Sequence, residues 1–365
     1  MINCILMGMR YNTITKTLLA AVVCLCVICI IGCSTKGDSV KLSDPDTEFL
    51  CRLDQADIPI DKLYSMAITG DRRVIVSTLK EVLAYSFDGK YIGRIGNHGR
   101  AAGEYSMPMV VRTDEKHIYV WDAMNLKFIV YNIDGTFESE YPYPSALRDF
   151  IPYGDKLAIY TAGNRQDNII DIYSLEGKSV VDSFTPASPS QRAFRLISGY
   201  PMSISGDELF YMPSCELKLY KHNLKDEGGE ELAGDFISDS FFVPQIEDAK
   251  AVSSNKKERS SFHDKTSSVR MVIPYNQRIL IMTLEGSFYS QDDVQKTDKR
   301  FYSFYLVNGG KLKCLACFPY DKLAASSLLC YSDGRLYFLK KEIDDKCGEE
   351  SLQLFDYDIK KLFKR

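Results

Sequence analysis

Met66-Ala67-Ile68-Thr69-Gly70-Asp71-Arg72-Arg73-Val74-Ile75-Val76, followed by Val82-Leu83-Ala84-Tyr85-Ser86-Phe87-Asp88-Gly89-Lys90-Tyr91-Ile92-Gly93, decides how this chain folds. Two apolar runs of strand length flank Gly70-Asp71, and two more flank Asp88-Gly89. Asp-Gly between alternating apolar residues is the strongest short-range hairpin signal, because the favoured turn needs residues that accept positive φ. The stretch reads as four consecutive antiparallel strands.

The unit recurs. Ile118-Tyr119-Val120-Trp121 precedes Phe128-Ile129-Val130-Tyr131, and Leu157-Ala158-Ile159-Tyr160 precedes Ile172-Tyr173. Leu209-Phe210-Tyr211 precedes Leu217-Lys218-Leu219-Tyr220, and Ile279-Leu280-Ile281 precedes Phe304-Tyr305-Leu306. Leu336-Tyr337-Phe338 precedes Leu354-Phe355-Asp356-Tyr357. The tyrosines of the third strands, Tyr85, Tyr131, Tyr173, Tyr220, Tyr305 and Tyr357, stand 46, 42, 47, 85 and 52 residues apart. A propeller blade takes about 40–50 residues, so all but one interval fit. The exception brackets residues 226–268, a polar, turn-rich stretch read as an insertion with a short helix near Glu247 to Arg259. A β-sandwich has no need of this period. The expected fold is therefore all-β, a six-bladed β-propeller of four-stranded antiparallel blades. The sixth unit ends after its third strand, near Asp358, whereas Glu48-Phe49-Leu50-Cys51-Arg52-Leu53 is strand-like and has no unit of its own. It is predicted to complete the last blade, which would hide a sheet edge. The propeller is expected over residues 48–358, with a basic end at 359–365.

The N-terminus is different material. Arg10 and Lys16 precede an uncharged apolar run from Leu18 to Ile31. Such a run makes a helix of about 21 Å against roughly 30 Å of hydrocarbon, which suits the apolar region of a signal peptide rather than a span. Ile30-Ile31-Gly32-Cys33 resembles the lipobox of bacterial lipoproteins, with Gly32 and Cys33 in place and isoleucines where leucine and a small residue are usual. The resemblance implies that residues 1–32 are a lipoprotein signal peptide, that Cys33 carries palmitate-type acyl chains, and that residues 33–47 are a polar tether. At ~0.8 kcal/mol per methylene, more than one acyl chain anchors a protein stably.

Gly93-Arg94-Ile95-Gly96-Asn97-His98-Gly99-Arg100-Ala101-Ala102-Gly103-Glu104-Tyr105-Ser106-Met107-Pro108 resembles the loop of an NHL repeat. With the lipobox and the six units, the chain resembles the six-bladed NHL/TolB-like propeller lipoproteins of the Bacteroidetes. That resemblance implies a fold and a compartment, the cell envelope with the outer membrane foremost, and no particular chemistry.

Composition narrows the function further. The chain holds 45 basic and 49 acidic residues, and loss of Arg10 and Lys16 with the signal leaves a formal charge of −6. This gives no electrostatic footprint for nucleic acid. Asp71, Asp88, Asp134, Asp155, Asp207 and Asp333 fall in tight turns, where Asp bonds its own backbone, so they are turn residues first. The four histidines are scattered and predict no metal centre. Six cysteines follow Cys33, at 51, 215, 314, 317, 330 and 347, and their pairing is left open. Cys314-Leu315-Ala316-Cys317 has redox or zinc spacing, yet it lacks a second pair and lies in an alternating run, so it reads as buried structural cysteine.

Binding residues tend to sit on loops held by a rigid scaffold. His98, Arg100, Tyr105, Trp121 and Asn125 fall in one loop neighbourhood and mix aromatic surface with hydrogen-bonding groups, as protein or glycan contacts do. They are the candidate ligand-binding set, with no catalytic or metal set beside them. The expected function is a non-enzymatic binding or scaffold module, without cofactor, for a protein, peptide or glycan ligand. The alternative is a divalent-cation-dependent hydrolase or lyase in the central channel, built from Asn97, Glu104, Asp122 and Asn125, with the cation polarising a carbonyl.

Overall fold

The computed structural model describes residues 42–364 apart from 55–61, 162–167, 194–198, 200, 226–229, 247–251, 253, 287–299, 324–327 and 344–349. The signal segment, Cys33, the tether up to residue 41 and Cys347 lie outside the described residues.

The repeat becomes six four-stranded antiparallel sheets in chain order. Blade 1 comprises Leu63–Ile68, Val74–Thr78, Val82–Tyr85 and Tyr91–Arg94. Blade 2 comprises Pro108–Thr113, His117–Asp122, Lys127–Asn132 and Phe137–Pro142, and blade 3 Leu147–Tyr153, Lys156–Thr161, Asn168–Ser174 and Ser179–Pro186. Blade 4 comprises Met202–Ser205, Glu208–Tyr211, Lys218–Asn223 and Glu231–Asp235, and blade 5 Ser268–Tyr275, Arg278–Glu285, Phe301–Asn308 and Lys311–Pro319. Blade 6 takes Leu328–Ser332, Arg335–Ile343 and Glu350–Asp358 from the end of the chain and Glu48–Leu53 from its beginning. The first strand of each blade is innermost, and together these strands surround one axial cavity.

The closing strand runs antiparallel to Glu350–Asp358, with Leu53 opposite Leu352. Cys51 and Leu53 are buried among Met66, Ile68 and Tyr85 of blade 1 and Leu339 and Leu354 of blade 6. Gly89, the glycine of the hairpin signal, has φ +92°, and a Cβ there would stand 2.2 Å from the carbonyl oxygen of Arg52. Only glycine lets that turn lie against the closing strand, where the Asp54 amide donates to the Gly89 carbonyl at 2.8 Å. Arg335 pairs with Asp356, and Lys361 reaches Asp46 and Glu48 at 2.8 and 3.1 Å.

The recurring tyrosine has a structural cause. In blades 1 to 5 the register between third and fourth strands shifts at Tyr85, Tyr131, Tyr173, Tyr220 and Tyr305. A bulge there increases the twist, which turns the outer strand around the ring. Two of these tyrosines also staple neighbours, since Tyr131 Oη donates to the Gly103 carbonyl at 2.8 Å and Tyr173 Oη to the Pro142 carbonyl at 2.7 Å.

The start of the expected insertion is corrected. Glu231–Asp235, inside the stretch read as inserted, pairs with Lys218–Asn223 as the fourth strand of blade 4. The extra segment therefore begins at Phe236. Its described helix spans Lys256–Lys265 and overlaps the expected one, of which residues 247–251 and 253 lie outside the described residues. Asn255 sets that start, because its Oδ1 accepts from the Lys257 and Glu258 amides at 3.0 and 3.3 Å. Phe262 anchors the helix against Ala193 and Cys215.

Candidate functional site

The inner strands build a concave axial feature. Those of blades 1, 2, 3 and 5 carry a register shift near their starts. Counted back from the following hairpin, with the closing Thr69–Arg73 and Asp114–His117 pairs of blades 1 and 2 included, the third pair places Ala67, Arg112, Ile151, Ser203, Ile273 and Cys330 at one level of the ring. A cavity of about 270 Å³ opens at this level, bounded by residues of all six inner strands, including Ala67, Arg112, Asp149, Ser203, Val272 and Cys330.

Its walls are mostly apolar, so the charged pair stands out. Arg112 Nη2 lies 2.5 Å from Asp149 Oδ1, bridging blades 2 and 3. Arg112 Nη1 donates to the Val111 carbonyl at 2.7 Å and to Ser65 Oγ at 3.1 Å. Asp149 is 1% exposed. Burial pushes its carboxyl up to about 6, against the pull of Arg112 and of the Phe150 amide. Desolvation outweighs the attraction, as is common for ion pairs out of water. Burial also raises the Cys330 thiol, with Arg112 opposing. Ser203 Oγ, in the same wall, is buried without a hydrogen-bond partner. An unpaired buried hydroxyl is costly.

The five candidate residues from the sequence are divided by the structure. Trp121, 1% exposed, packs against Phe128 and Tyr143 with centroids at 4.9 and 5.8 Å. Tyr105 is fully buried, its hydroxyl donating to the Ile95 carbonyl at 2.8 Å and accepting from the Val82 amide at 3.1 Å. Neither ring presents surface to a ligand, because each fills the core between or within blades. Asn125 Nδ2 donates to Asp122 Oδ2 at 2.6 Å and Ser106 Oγ at 3.1 Å, which locks the turn after Trp121. His98 and Arg100 are exposed on the loop joining blades 1 and 2.

That loop is a clasp. Asn97 and His98 pair with Glu104 and Tyr105 in a two-stranded parallel ladder, and Glu104 Oε2 accepts from the Ala101 amide at 2.9 Å. Asp122 accepts from the Ser106 and Met107 amides at 2.9 and 3.0 Å. Asn97, Glu104, Asp122 and Asn125 are thus not brought to the axis, and none lines the cavity. Among the described residues no group of three His, Cys, Asp or Glu side chains is arranged to hold a metal ion.

Arg112, Asp149 and Ser203 were missing from the sequence-derived set. The signal was present, since a charge inside a buried apolar strand demands a partner.

Comparison with known proteins agrees with this architecture. The profile of the family described as "Domain of unknown function (DUF4934)" matches residues 59–339. A crystal structure of a protein provisionally described as exported, from Bacteroides fragilis NCTC 9343, is 14% identical with a TM-score of 0.60, over 88% of this chain and 97% of that one. A DUF4221 family member from Bacteroides vulgatus ATCC 8482 is 10% identical with a TM-score of 0.54, over 87% and 98%. At these identities the likeness is one of fold. No curated protein matches the chain.

Proposed function

We propose, starting from a chain that belongs to the DUF4934 family, that this propeller is a lipid-anchored, non-enzymatic binding module of the bacterial cell envelope. Residues 1–32 direct export, Cys33 carries the acyl chains, and the polar residues that follow tether the ring to the outer membrane. The order of charge, apolar run, Gly32-Cys33 and polar switch supports the anchor. The propeller then works as an NHL/TolB-like scaffold.

The axial cavity carries the binding reading. Arg112 and Asp149 neutralise each other, so a charged ligand finds no uncompensated partner there. Ser203 lines the wall and carries a hydroxyl that is buried without a partner and would turn inward to meet a ligand. The group that fits is uncharged and hydrogen-bonding, an amide or a hydroxyl, as a peptide or saccharide presents. Whole small-molecule ligands occupy pockets of about 300–1,000 Å³. The cavity therefore takes the tip of a ligand, and face loops such as that of His98 and Arg100 supply further contacts.

The test begins with glycan and peptide arrays on the full-length protein, followed by calorimetry on the best ligand. Ser203→Ala removes one hydrogen bond and lowers affinity by about tenfold. Undiminished affinity in both Ser203→Ala and the cavity-filling Ser203→Leu refutes the axial site. Cys33→Ala abolishes membrane attachment or processing; unchanged fractionation refutes the anchor.

A further inference from the structure

Blade 5 carries a second chemistry on its outer strand, Lys311–Pro319. Residues three apart on a regular strand face opposite sides. Here the strand is bulged, with Cys314 opposite Tyr305, Ala316 opposite Phe304 and Cys317 opposite Ser303, leaving Leu315 unpaired. The extra residue brings both thiols to one side, with Sγ to Sγ at 3.5 Å. The reading of the pair as buried structural cysteine is corrected here, because Cys314 is exposed while Cys317 is buried.

We propose that Cys314 and Cys317 form a thiol–disulfide exchange site, cycling between dithiol and intrastrand disulfide with a low-molecular-weight disulfide as the oxidant. An exposed thiol backed by a buried one divides the work into an attacking and a resolving sulfur. The surroundings favour a thiolate on Cys317, whose pKa is lowered first by the hydrogen bond from Cys314 and then by Ser303 Oγ, 3.4 Å away, with burial and Glu285 opposing. The proton shared with Cys317 raises Cys314 in turn. The Cys317 carbonyl accepts from the Ser43 amide at 2.9 Å, which helps to fix the resolving residue in place.

The sulfur chemistry balances without any further reactant. Cys314 Sγ, passing its proton through the Cys317 thiolate to the departing sulfur, attacks one sulfur of the external disulfide, whose S–S bond breaks to release the first leaving group. Cys317 thiolate then attacks Cys314 Sγ, the mixed disulfide breaks, and the second thiolate leaves. The two leaving thiolates take up the two protons lost by the cysteines. Two protein thiols are thereby oxidised to one disulfide, while the donor is reduced to two thiols, and excess thiol reverses each step.

The experiment uses the full chain in buffers of graded oxidised and reduced glutathione, quenched by alkylation and read by peptide mass spectrometry. Cys314 and Cys317 lose their alkylation together at oxidising ratios and regain it at reducing ones. Cys317→Ser traps glutathione on Cys314, whereas Cys314→Ser takes it up at Cys317 at least about tenfold more slowly, because that thiol is buried. Both variants are checked for native urea midpoints, which an exposed Cys314→Ser leaves unchanged. Thiols that stay alkylated at every ratio overturn the proposal. So does a Cys317→Ser variant that folds and traps nothing, or a bond that excess reduced glutathione does not open, which would make it a structural cross-link.

Discussion

Replacing Leu53 by alanine tests whether the chain's beginning locks the ring. Leu53 is 2% exposed. Its neighbours come from both sides of the joint, Met66, Ile68 and Val74 in blade 1 and Leu339, Leu352 and Leu354 in blade 6. Truncating a leucine in such a site costs the transfer energy of the lost carbons plus a cavity term, together about 3–5 kcal/mol. Phe49 lies on the same strand but is 55% exposed, touching Phe355 edge-on at 5.5 Å. Its truncation costs about 1 kcal/mol, the worth of one aromatic pair. Urea unfolding followed by tyrosine and tryptophan fluorescence measures both. If the closing strand completes the last blade, Leu53→Ala shifts the whole transition while Phe49→Ala barely moves it. Equal effects, or a Leu53→Ala loss under about 1 kcal/mol, would show that the ring holds without this strand.

Two further outcomes follow from the structure. Gly89→Ala places a Cβ 2.2 Å from the Arg52 carbonyl oxygen at φ +92°, whereas Gly70→Ala meets nothing within 4 Å. Gly89→Ala should cost at least about 2 kcal/mol and Gly70→Ala almost nothing, and a reversal in thermal unfolding would contradict the turn geometry. Asp149 titrates at about 6 when folded, above its unfolded value, so its stabilising contribution is complete below about pH 4 and is lost as pH rises through 6. Two units at 1.4 kcal/mol each make this about 3 kcal/mol. Wild type should lose that much relative to Asp149→Asn between pH 4 and 7 in urea midpoints, and the opposite slope would mean that Arg112 outweighs burial.

Much of the fold was legible because hairpin geometry is local. The Asp-Gly pairs announce turns that the backbone then makes, with Gly89 and Gly135 at φ +92° and +90°. The recurring tyrosine was legible as a period, and its bulge explains why that residue type returns. Glu48–Leu53 could be assigned because a four-strand repeat that ends one strand short leaves an edge to be covered. Glu231–Asp235 escaped notice for the converse reason. As an outer strand it is mostly exposed on both faces, so its sequence carries no alternation.

The site was harder to read, and its residues show why. Tyr105 and Trp121 looked like ligand contacts because they stand near loops, but a polar tip does not exclude burial. Tyr105 finds the Ile95 carbonyl and the Val82 amide inside the protein, and with them its hydroxyl loses any need for solvent. Arg112 and Asp149 belong to different blades, and nothing local joins them. Their meeting depends on two facts beyond any single strand: adjacent blades pack inner strand to inner strand, and a bulge resets which side each residue faces. Arg112 is nonetheless the one charge on its inner strand, and burying it alone would cost far more than a small domain can supply. Once a ring is inferred from the tyrosine period, the lone cation of one inner strand looks to the next strand for its anion, and Asp149 is the acidic residue there. The pair is thus the place where the repeat, laid out blade against blade, predicts a contact that no stretch of sequence contains.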